Sequence, residues 1–225
     1  MKSESRVQEV KFRADIAELT RDLPFVASTP PMTGVIRSVA NSSMDPVDGS
    51  TDEMWLKRLA GIYSGMLNAN SANVQLRLII ATGHEILRVG RSGLNNAIRV
   101  VPEAELQDKS GSQCFIDPAA MAAGHICLSD IELNREFGQI ATPQLPVIRA
   151  ATPLYIPSGS LLGIAVINQS LQSSFSELQN IVEDRRDFYV ANDKGEYLLH
   201  PMEWSSKTGH GLVANPILPL GCIWT

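Results

Sequence analysis

The chain has 225 residues, of which 44% are hydrophobic and 19% are charged, and its formal net charge is −5. This composition is typical of a globular fold, and the acidic balance argues against binding nucleic acid through the phosphate backbone. No apolar run approaches the ~20 residues that cross a bilayer, and residues 1–5 lead into polar sequence without a signal peptide. The length suits one large domain, or one domain with part of another.

The first predicted element is a helix over residues 2–23. Its apolar side chains recur at spacings of three and four: Phe12, Ile16, Leu19 and Leu23. The other faces are charged, and Pro24 predicts a stop or a kink. Such a helix suits packing along a sheet or pairing with a copy of itself.

Residues 24–53 are rich in Pro and Gly, which predicts irregular structure with a short helical piece at 33–40. A second long helix should begin near Thr51, Asp52 and Glu53, because these side chains can cap its first turn. It should end around residues 68–70.

A β-hairpin follows, with strands over residues 74–81 and 84–91 and a turn at Thr82-Gly83. Short helices are predicted at 102–107 and 117–123, with Pro102 and Pro118 in their first turns.

The stretch 124–169 is the one around which the chain is organised. It contains a strand at 124–131, a polar loop with Asn134, Arg135 and Glu136, and a hairpin of strands 146–155 and 161–168. Residues 171–183 are predicted to be helical. Strands at 186–191 and 196–200, with a turn between them, predict the start of another sheet.

This order predicts an α+β fold. A long N-terminal helix precedes a five-stranded antiparallel sheet with covering helices, which leave a pocket on one side. The predicted divisions are residues 1–50 for the helix and its connection, 51–183 for the first sheet domain, and 184–225 for an incomplete second domain.

Several short segments resemble the double Cache sensor domain, a tandem PAS-like module of bacterial histidine kinases, diguanylate cyclases and chemoreceptors. The segments that carry the resemblance are LRLI at 76–79 with GHEILRV at 83–89, ELQDK at 105–109, LSDIELNRE at 128–136 with GQI at 138–140, PVIRAATP at 146–153, GIAVIN at 163–168 and GEYLLHP at 195–201. A Tyr-Phe pair common in that family is Cys114-Phe115 here, and the aromatic-rich motif of its amino-acid-binding members is not evident.

The resemblance implies a PAS-like first domain, a truncated second PAS-like domain, and a periplasmic location. Membrane anchors would lie outside these residues. It also implies that a small molecule binds in the first domain and that a conformational change passes through the N-terminal helix, across a homodimer, to a cytoplasmic kinase or cyclase. The chain itself is then not an enzyme, and no cofactor is expected.

Arg149 is the first candidate ligand-binding residue. It lies mid-strand among apolar residues, and a buried guanidinium needs an anionic partner, which a ligand carboxylate could supply. An internal ion pair with Asp130 or Glu136 is the alternative. Arg88 has the same two interpretations, its internal partner being Glu85 or Asp130.

Four further candidates come from the predicted pocket rim and wall. Ser129 and Asp130 end a strand beside the covering helices, although they could equally cap a turn. The Thr152 hydroxyl could donate a hydrogen bond to a ligand, although the strand propensity of Thr also explains a Thr at this position. Phe115 could line the pocket or belong to the core.

The chain has no metal-binding or catalytic motif that we recognise. Cys114, Cys127 and Cys222 lack metal-ligand spacing and predict buried free thiols, with a Cys114–Cys127 disulfide as the alternative. His84-Glu85 is not part of an HExxH motif, and no GxSxG sequence occurs. A ligand sensor is therefore the first hypothesis. A dimerisation module with a filled pocket is the second, and a small hydrolase or metalloenzyme is a remote third.

Overall fold

The computed structural model of the protein describes residues 2–92, 96–181 and 190–199. The α-helices in these ranges are α1 (Lys2–Ser28), α2 (Pro30–Ala40), α3 (Asp52–Ala69), α4 (Gln113–Ala119) and α5 (Gln172–Ile181), and Glu103–Glu105 forms a 3₁₀ turn. The strands are β1 (Asn73–Ile80), β2 (Glu85–Arg91), β3 (Ile98–Val100), β4 (Cys127–Leu128), β5 (Glu132–Leu133), β6 (Arg135–Glu136), β7 (Gln139–Ile140), β8 (Pro146–Tyr155), β9 (Leu161–Ser170), β10 (Val190–Ala191) and β11 (Tyr197–Leu199).

The main sheet is antiparallel, with the order β3-β2-β1-β9-β8-β4, and β5 also pairs with β8. The strands β1, β2, β8 and β9 are the two predicted hairpins, and the expected α+β class is confirmed. The short strands β3 and β5 were not predicted, and of the predicted strand 124–131 only Cys127–Leu128 forms a strand, β4. Strands β6–β7 and β10–β11 form two small separate hairpins. The domain boundaries at residues 50 and 183 remain predictions.

Helix α1 continues through Pro24, so the predicted end of the helix at Leu23 is wrong. Leu19, Leu23 and Val26 are all buried, and burial of this stripe offsets the hydrogen bond that the Pro removes. The prediction of irregular structure is wrong for residues 24–32, where α1 continues and α2 begins at Pro30, whereas the helical piece predicted at 33–40 lies within α2 and turns follow it over residues 41–51. Thr29 caps α2 by accepting a hydrogen bond from the Met32 N–H at 3.4 Å.

Helix α3 begins and ends where the sequence predicts. The Thr51 hydroxyl accepts a hydrogen bond from the Met54 N–H at 3.3 Å, and Asp52 and Glu53 lie in the first turn. Helices α2 and α3 pack closely because Gly34 has no side chain where the Trp55 ring lies.

Alternation along the strands gives the main sheet two different faces. The helix face is formed by Leu76, Leu78, Leu87, Val89, Ile148, Ala150, Ala165 and Ile167, which pack in one core with α1, α2 and α3. On the cavity face, Phe115 of α4 packs with Ile79, Ala151, Ile164 and Val166. The registers place Gln75, Arg77, Arg88, Arg149 and Asn168 on this same cavity face.

Strand β4 is much shorter than the predicted strand 124–131, and it ends at Leu128 because a side chain interrupts the ladder at Ser129. The Ser129 hydroxyl accepts the Arg149 N–H at 3.0 Å, and pairing with β8 resumes only at Glu132. Helix α4 begins at Gln113 rather than at 117, with Pro118 inside it, and the 102–107 segment is only a 3₁₀ turn. The helix predicted at 171–183 is described as far as Ile181. The strand predicted at 186–191 is described from Val190 on, and the strand predicted at 196–200 as far as Leu199. The rest of these three predictions lies outside the described residues.

Candidate functional site

A cavity of about 390 Å³ opens on the cavity face, between β8, α4 and the segment 127–132. Strand β8 contributes Arg149 and Ala151, and the β4 region contributes Ser129 and Asp130. The other residues around it are Arg77, Lys109, Ser112, Gln113, Cys114, Asp117, Pro118, Cys127, Leu128, Glu132, Arg135 and Lys194. Five of these side chains are basic and three are acidic, so the cavity has an excess of positive charge.

Arg149 lies at the base of this cavity and is only 8% exposed. Its Nη1 donates to Glu132 Oε2 at 3.2 Å. The internal partner is therefore Glu132, not the predicted Asp130 or Glu136. Burial lowers the pKa of Arg149, and the nearby Arg77 charge lowers it further, although Glu132 acts in the opposite direction. The guanidinium is thus a desolvated cation with one carboxylate partner among the described residues.

Ser129 and Asp130 also reach the cavity, but they do different things. The Ser129 hydroxyl accepts from the Arg149 N–H and donates to the Asp130 carbonyl at 2.7 Å, so its main role is to hold the strand end. Asp130 is exposed, so its carboxylate lies at the rim. Of the six candidates, Ser129, Asp130 and Arg149 are brought together.

Phe115, Thr152 and Arg88 do not line the cavity. Phe115 is a core residue that packs with Ile79 and Ile164. Thr152 follows Ala151 in the strand and therefore lies on the opposite face, where its hydroxyl donates to the His125 carbonyl at 2.8 Å. Arg88 is held in a separate ionic cluster.

This buried ionic cluster consists of Arg77, Glu85, Arg88 and Glu136, and lies beside the cavity on the same face. Arg88 Nη1 donates to Glu136 Oε2 at 2.7 Å, and Arg77 Nη1 lies 3.3 Å from Glu85 Oε1. Two cations and two carboxylates balance each other, which burial requires. Of the partners predicted for Arg88, Glu85 is present at 3.6 Å and Asp130 is replaced by Glu136.

Glu136 attaches the β6–β7 hairpin to the sheet through this cluster. Its carboxylate accepts hydrogen bonds from the Gln75 amide at 2.6 Å and the Gln107 amide at 2.7 Å. Burial raises its pKa, but the charges of Arg77 and Arg88 and these two hydrogen bonds outweigh burial and leave the pKa below the ordinary value. Sequence reasoning missed Arg77, although Arg77 and Arg88 are opposite each other in adjacent strands and so demand shared acidic partners.

Lys109 was also missed, and it is the cation of the cavity that has no carboxylate partner among the described residues. Its ammonium donates to the Gln107 side-chain oxygen at 2.6 Å. Burial lowers the pKa of Lys109, and repulsion by Arg77 adds to this effect, although the charges of Glu85 and Glu136 act in the opposite direction. An anion in the cavity would favour the charged ammonium and so oppose both effects, which gives Lys109 the chemistry of an anion-binding group.

Two thiols complete the cavity wall. Cys114 is partly exposed and Cys127 is buried, and both are free, so the alternative Cys114–Cys127 disulfide is not formed. Cys222 lies outside the described residues. Within the described ranges, no three His, Cys, Asp or Glu side chains are grouped closely enough to hold a metal ion.

Comparison with solved structures shows the same fold in several bacterial sensor domains. A domain of a sensory box/GGDEF family protein from Vibrio parahaemolyticus matches with a TM-score of 0.62 and 20% identity, and the match covers 90% of this chain and 68% of that domain. The extracellular domain of the histidine kinase vpHK1S-Z8 gives a TM-score of 0.61 and 20% identity, over 90% of this chain and 64% of that one. The methyl-accepting chemotaxis protein X gives 0.57 and 13%, over 89% and 72%.

The remaining findings concern curated proteins, membrane-spanning helices and the family model. No protein of curated function matches the sequence significantly. None of the described helices combines the length and the apolar character that membrane crossing requires. The family model "Bacterial histidine kinase, sensor domain" matches residues 42–207, which is most of the chain. The protein therefore belongs to the family of bacterial histidine kinase sensor domains.

Proposed function

We propose that the protein is the extracytoplasmic ligand-sensing region of a transmembrane signalling receptor, and that it binds a small anionic molecule in the cavity lined by Arg149 and Lys109. The observation that supports this proposal most strongly is the pair of desolvated cations facing one cavity, one of which has no carboxylate partner among the described residues. A buried cation gains most from a charged hydrogen-bonding partner, and a carboxylate or similar anion supplies one. Ser129 and Asp130 would then contact the ligand at the cavity mouth.

A route for the signal is available through the sheet. Arg149 lies on the cavity face of β8, and α1 packs against β8 and β9 from the opposite face. A ligand that shifts β8 would therefore act directly on α1. The Asp15 carboxylate also accepts a hydrogen bond from Ser174 of α5 at 2.8 Å, which ties α1 to the end of the domain. We propose that α1 carries the change, across a homodimer, towards a cytoplasmic kinase or cyclase.

A thermal-shift screen tests ligand binding. Small mono- and dicarboxylates are compared with their uncharged amides, which have nearly the same size. A binder present at a hundredfold excess over its Kd stabilises by about 2.7 kcal/mol, which corresponds to a rise in Tm of roughly 5–10 °C for a chain of this length. Carboxylates should raise the Tm and amides should not.

Two variants test whether the carboxylate binds in the cavity beside Lys109. Lys109→Met should abolish the carboxylate shift without a large loss of stability, since Lys109 makes no ion pair in the described structure. Lys57→Met, on the exposed side of α3, is the matched control and should retain the shift. A shift that persists in Lys109→Met would place the bound compound elsewhere.

One observation favours a second candidate, a dimerisation module that binds nothing. Glu132 already supplies Arg149 with a carboxylate, so the cavity could be internally satisfied. In that case no carboxylate changes the Tm, whereas the oligomeric state remains dimeric.

A further inference from the structure

The second small sheet reaches into the candidate cavity. Lys194, in the turn between β10 and β11, is one of the cavity residues, and its ammonium donates to Glu132 Oε1. The other oxygen of the same carboxylate, Oε2, accepts from Arg149 Nη1 at 3.2 Å. One carboxylate thus bridges a cation of the main sheet and a cation of the β10–β11 hairpin.

Two more contacts join the same pair of segments. Arg135, which also lines the cavity, forms an ion pair with Glu196. The Asn192 side-chain amide lies 3.4 Å from the Ile131 carbonyl. The hairpin is therefore attached to the segment 131–135, from which Glu132 and Arg135 line the cavity, and its attachment is polar and electrostatic.

Sharing of one carboxylate makes the two cations compete. Arg149 and Lys194 repel each other, and each weakens the hold of Glu132 on the other. Burial raises the pKa of Glu132, but the Lys194 hydrogen bond and the charges of both cations outweigh it, so the carboxylate stays ionised. The Lys194 side chain is 56% exposed and that of Arg149 is 10% exposed, so the Lys194 contact is the weaker and more readily adjusted of the two.

An anion beside Arg149 changes this balance in one direction. It neutralises the guanidinium, which removes the repulsion on Lys194, and it also attracts Lys194 directly, because Lys194 faces the same cavity. We propose that Glu132 and Lys194 couple the cavity to the β10–β11 hairpin, so that an anion in the cavity tightens the docking of that hairpin. This inference rests on the proposed function only in taking an anion as the ligand.

Amide hydrogen exchange over residues 190–199 of the full chain tests the coupling without any ligand. Arg149→Met removes the competing cation and does not touch the hairpin itself. It should slow exchange at residues 192–196 roughly threefold, because strengthening one exposed ion pair changes the free energy of local opening by only a small amount. Glu132→Gln should accelerate exchange at the same amides by a similar factor. Thr152→Val, in the same strand but on the helix face, should leave the hairpin at the wild-type rate.

A reciprocal variant covers the case in which Arg149→Met does not fold. Lys194→Met changes an exposed side chain, and by linkage it should slow exchange at the Arg149 and Ser129 amides. The coupling is overturned if Arg149→Met and Thr152→Val give the same hairpin exchange, or if Lys194→Met leaves the cavity amides unchanged.

These outcomes are independent of the ligand screen. A carboxylate that raises the Tm, together with no effect of Arg149→Met on the hairpin, retains the sensor and removes the coupling. If Arg149→Met slows hairpin exchange but no tested carboxylate raises the Tm, the coupling is retained and the carboxylate sensor is removed.

Discussion

Arg88 and Glu136 form a 2.7 Å ion pair although 48 residues separate them in the chain. Arg88 stands on the cavity face of β2, and Glu136 ends the short strand β6. The pair closes the polar loop over the sheet beside the cavity, since Gln75 and Gln107 bind the same carboxylate. The loop beside the candidate site is therefore held in place by a contact between two segments that are distant in the sequence.

Removal of Glu136 should be strongly destabilising. Glu136→Ala leaves Arg77 and Arg88 buried with fewer carboxylates than cations, and loss of one partner of a buried pair costs about 3–5 kcal/mol. Urea unfolding at pH 7 measures the change in the free energy of unfolding. Glu103→Ala, at an exposed position of the 3₁₀ turn, is the control and should stay within about 0.5 kcal/mol of wild type. An equal effect of the two substitutions would contradict the role of the cluster.

Stability should fall in acid partly through Asp45. Arg37 donates to both of its carboxylate oxygens, at 2.8 and 2.6 Å, and this contact lowers the pKa of Asp45 to about 2 from the ordinary 3.8. Because the folded pKa is depressed, the stabilisation is complete above pH 3.8 and is lost as the pH falls from 3.8 to 2.

Calorimetry at pH 6, 4.5, 3 and 2 follows this loss. Asp45→Asn should lower the Tm at pH 6 and flatten the fall between pH 3.8 and 2. Ser158→Ala, in the exposed turn between β8 and β9, changes no titrating group and should retain the wild-type slope in that window. A wild-type slope in Asp45→Asn would disprove the assignment.

Gly34 should not tolerate a side chain. A Cβ there would lie 2.2 Å from Cδ2 of the Trp55 ring, which Arg58 covers at 4.1 Å from its centroid. Gly34→Ala should therefore destabilise by about 1–3 kcal/mol through overpacking between α2 and α3. Gly65→Ala is a matched control in α3 with open space around it, and should stabilise by about 0.5–1 kcal/mol because Ala favours a helix. Chemical denaturation of both variants measures the difference, and equal signs would refute the packing argument.

The proposed homodimer should depend on the exposed side of α1. Val10 and Phe25 are 63% and 58% exposed on this helix, and Ala14 and Ala17 lie exposed between them at helical spacing. Burial of this stripe against a second copy would remove it from water. Phe25→Glu should therefore shift the protein towards monomer in light scattering coupled to size-exclusion chromatography. Val47→Glu alters a similarly exposed apolar residue away from α1 and should leave the dimer unchanged. A dimer that survives Phe25→Glu would exclude this face.

Local sequence determined the elements whose signals lie within a few residues of each other. The cap at Thr51, the turn at Gly83 and the alternation around Leu76 and Leu78 each act over one turn or one strand, so both hairpins and α3 were predicted. The same local reasoning predicted that α1 ends before Pro24. The helix continues because Val26 is buried in the core, which depends on segments distant in the sequence.

The candidate site was predicted only in part, for the same physical reason. The buried position of Arg149 follows from its apolar strand, and Ser129 and Asp130 follow from the predicted strand end. Sequence by itself thus determined the sheet, its two hairpins and a cation in need of an anion. Only the tertiary structure decided which anion that cation meets, Glu132 rather than Asp130 or Glu136, because no local pattern encodes the distance between the two segments.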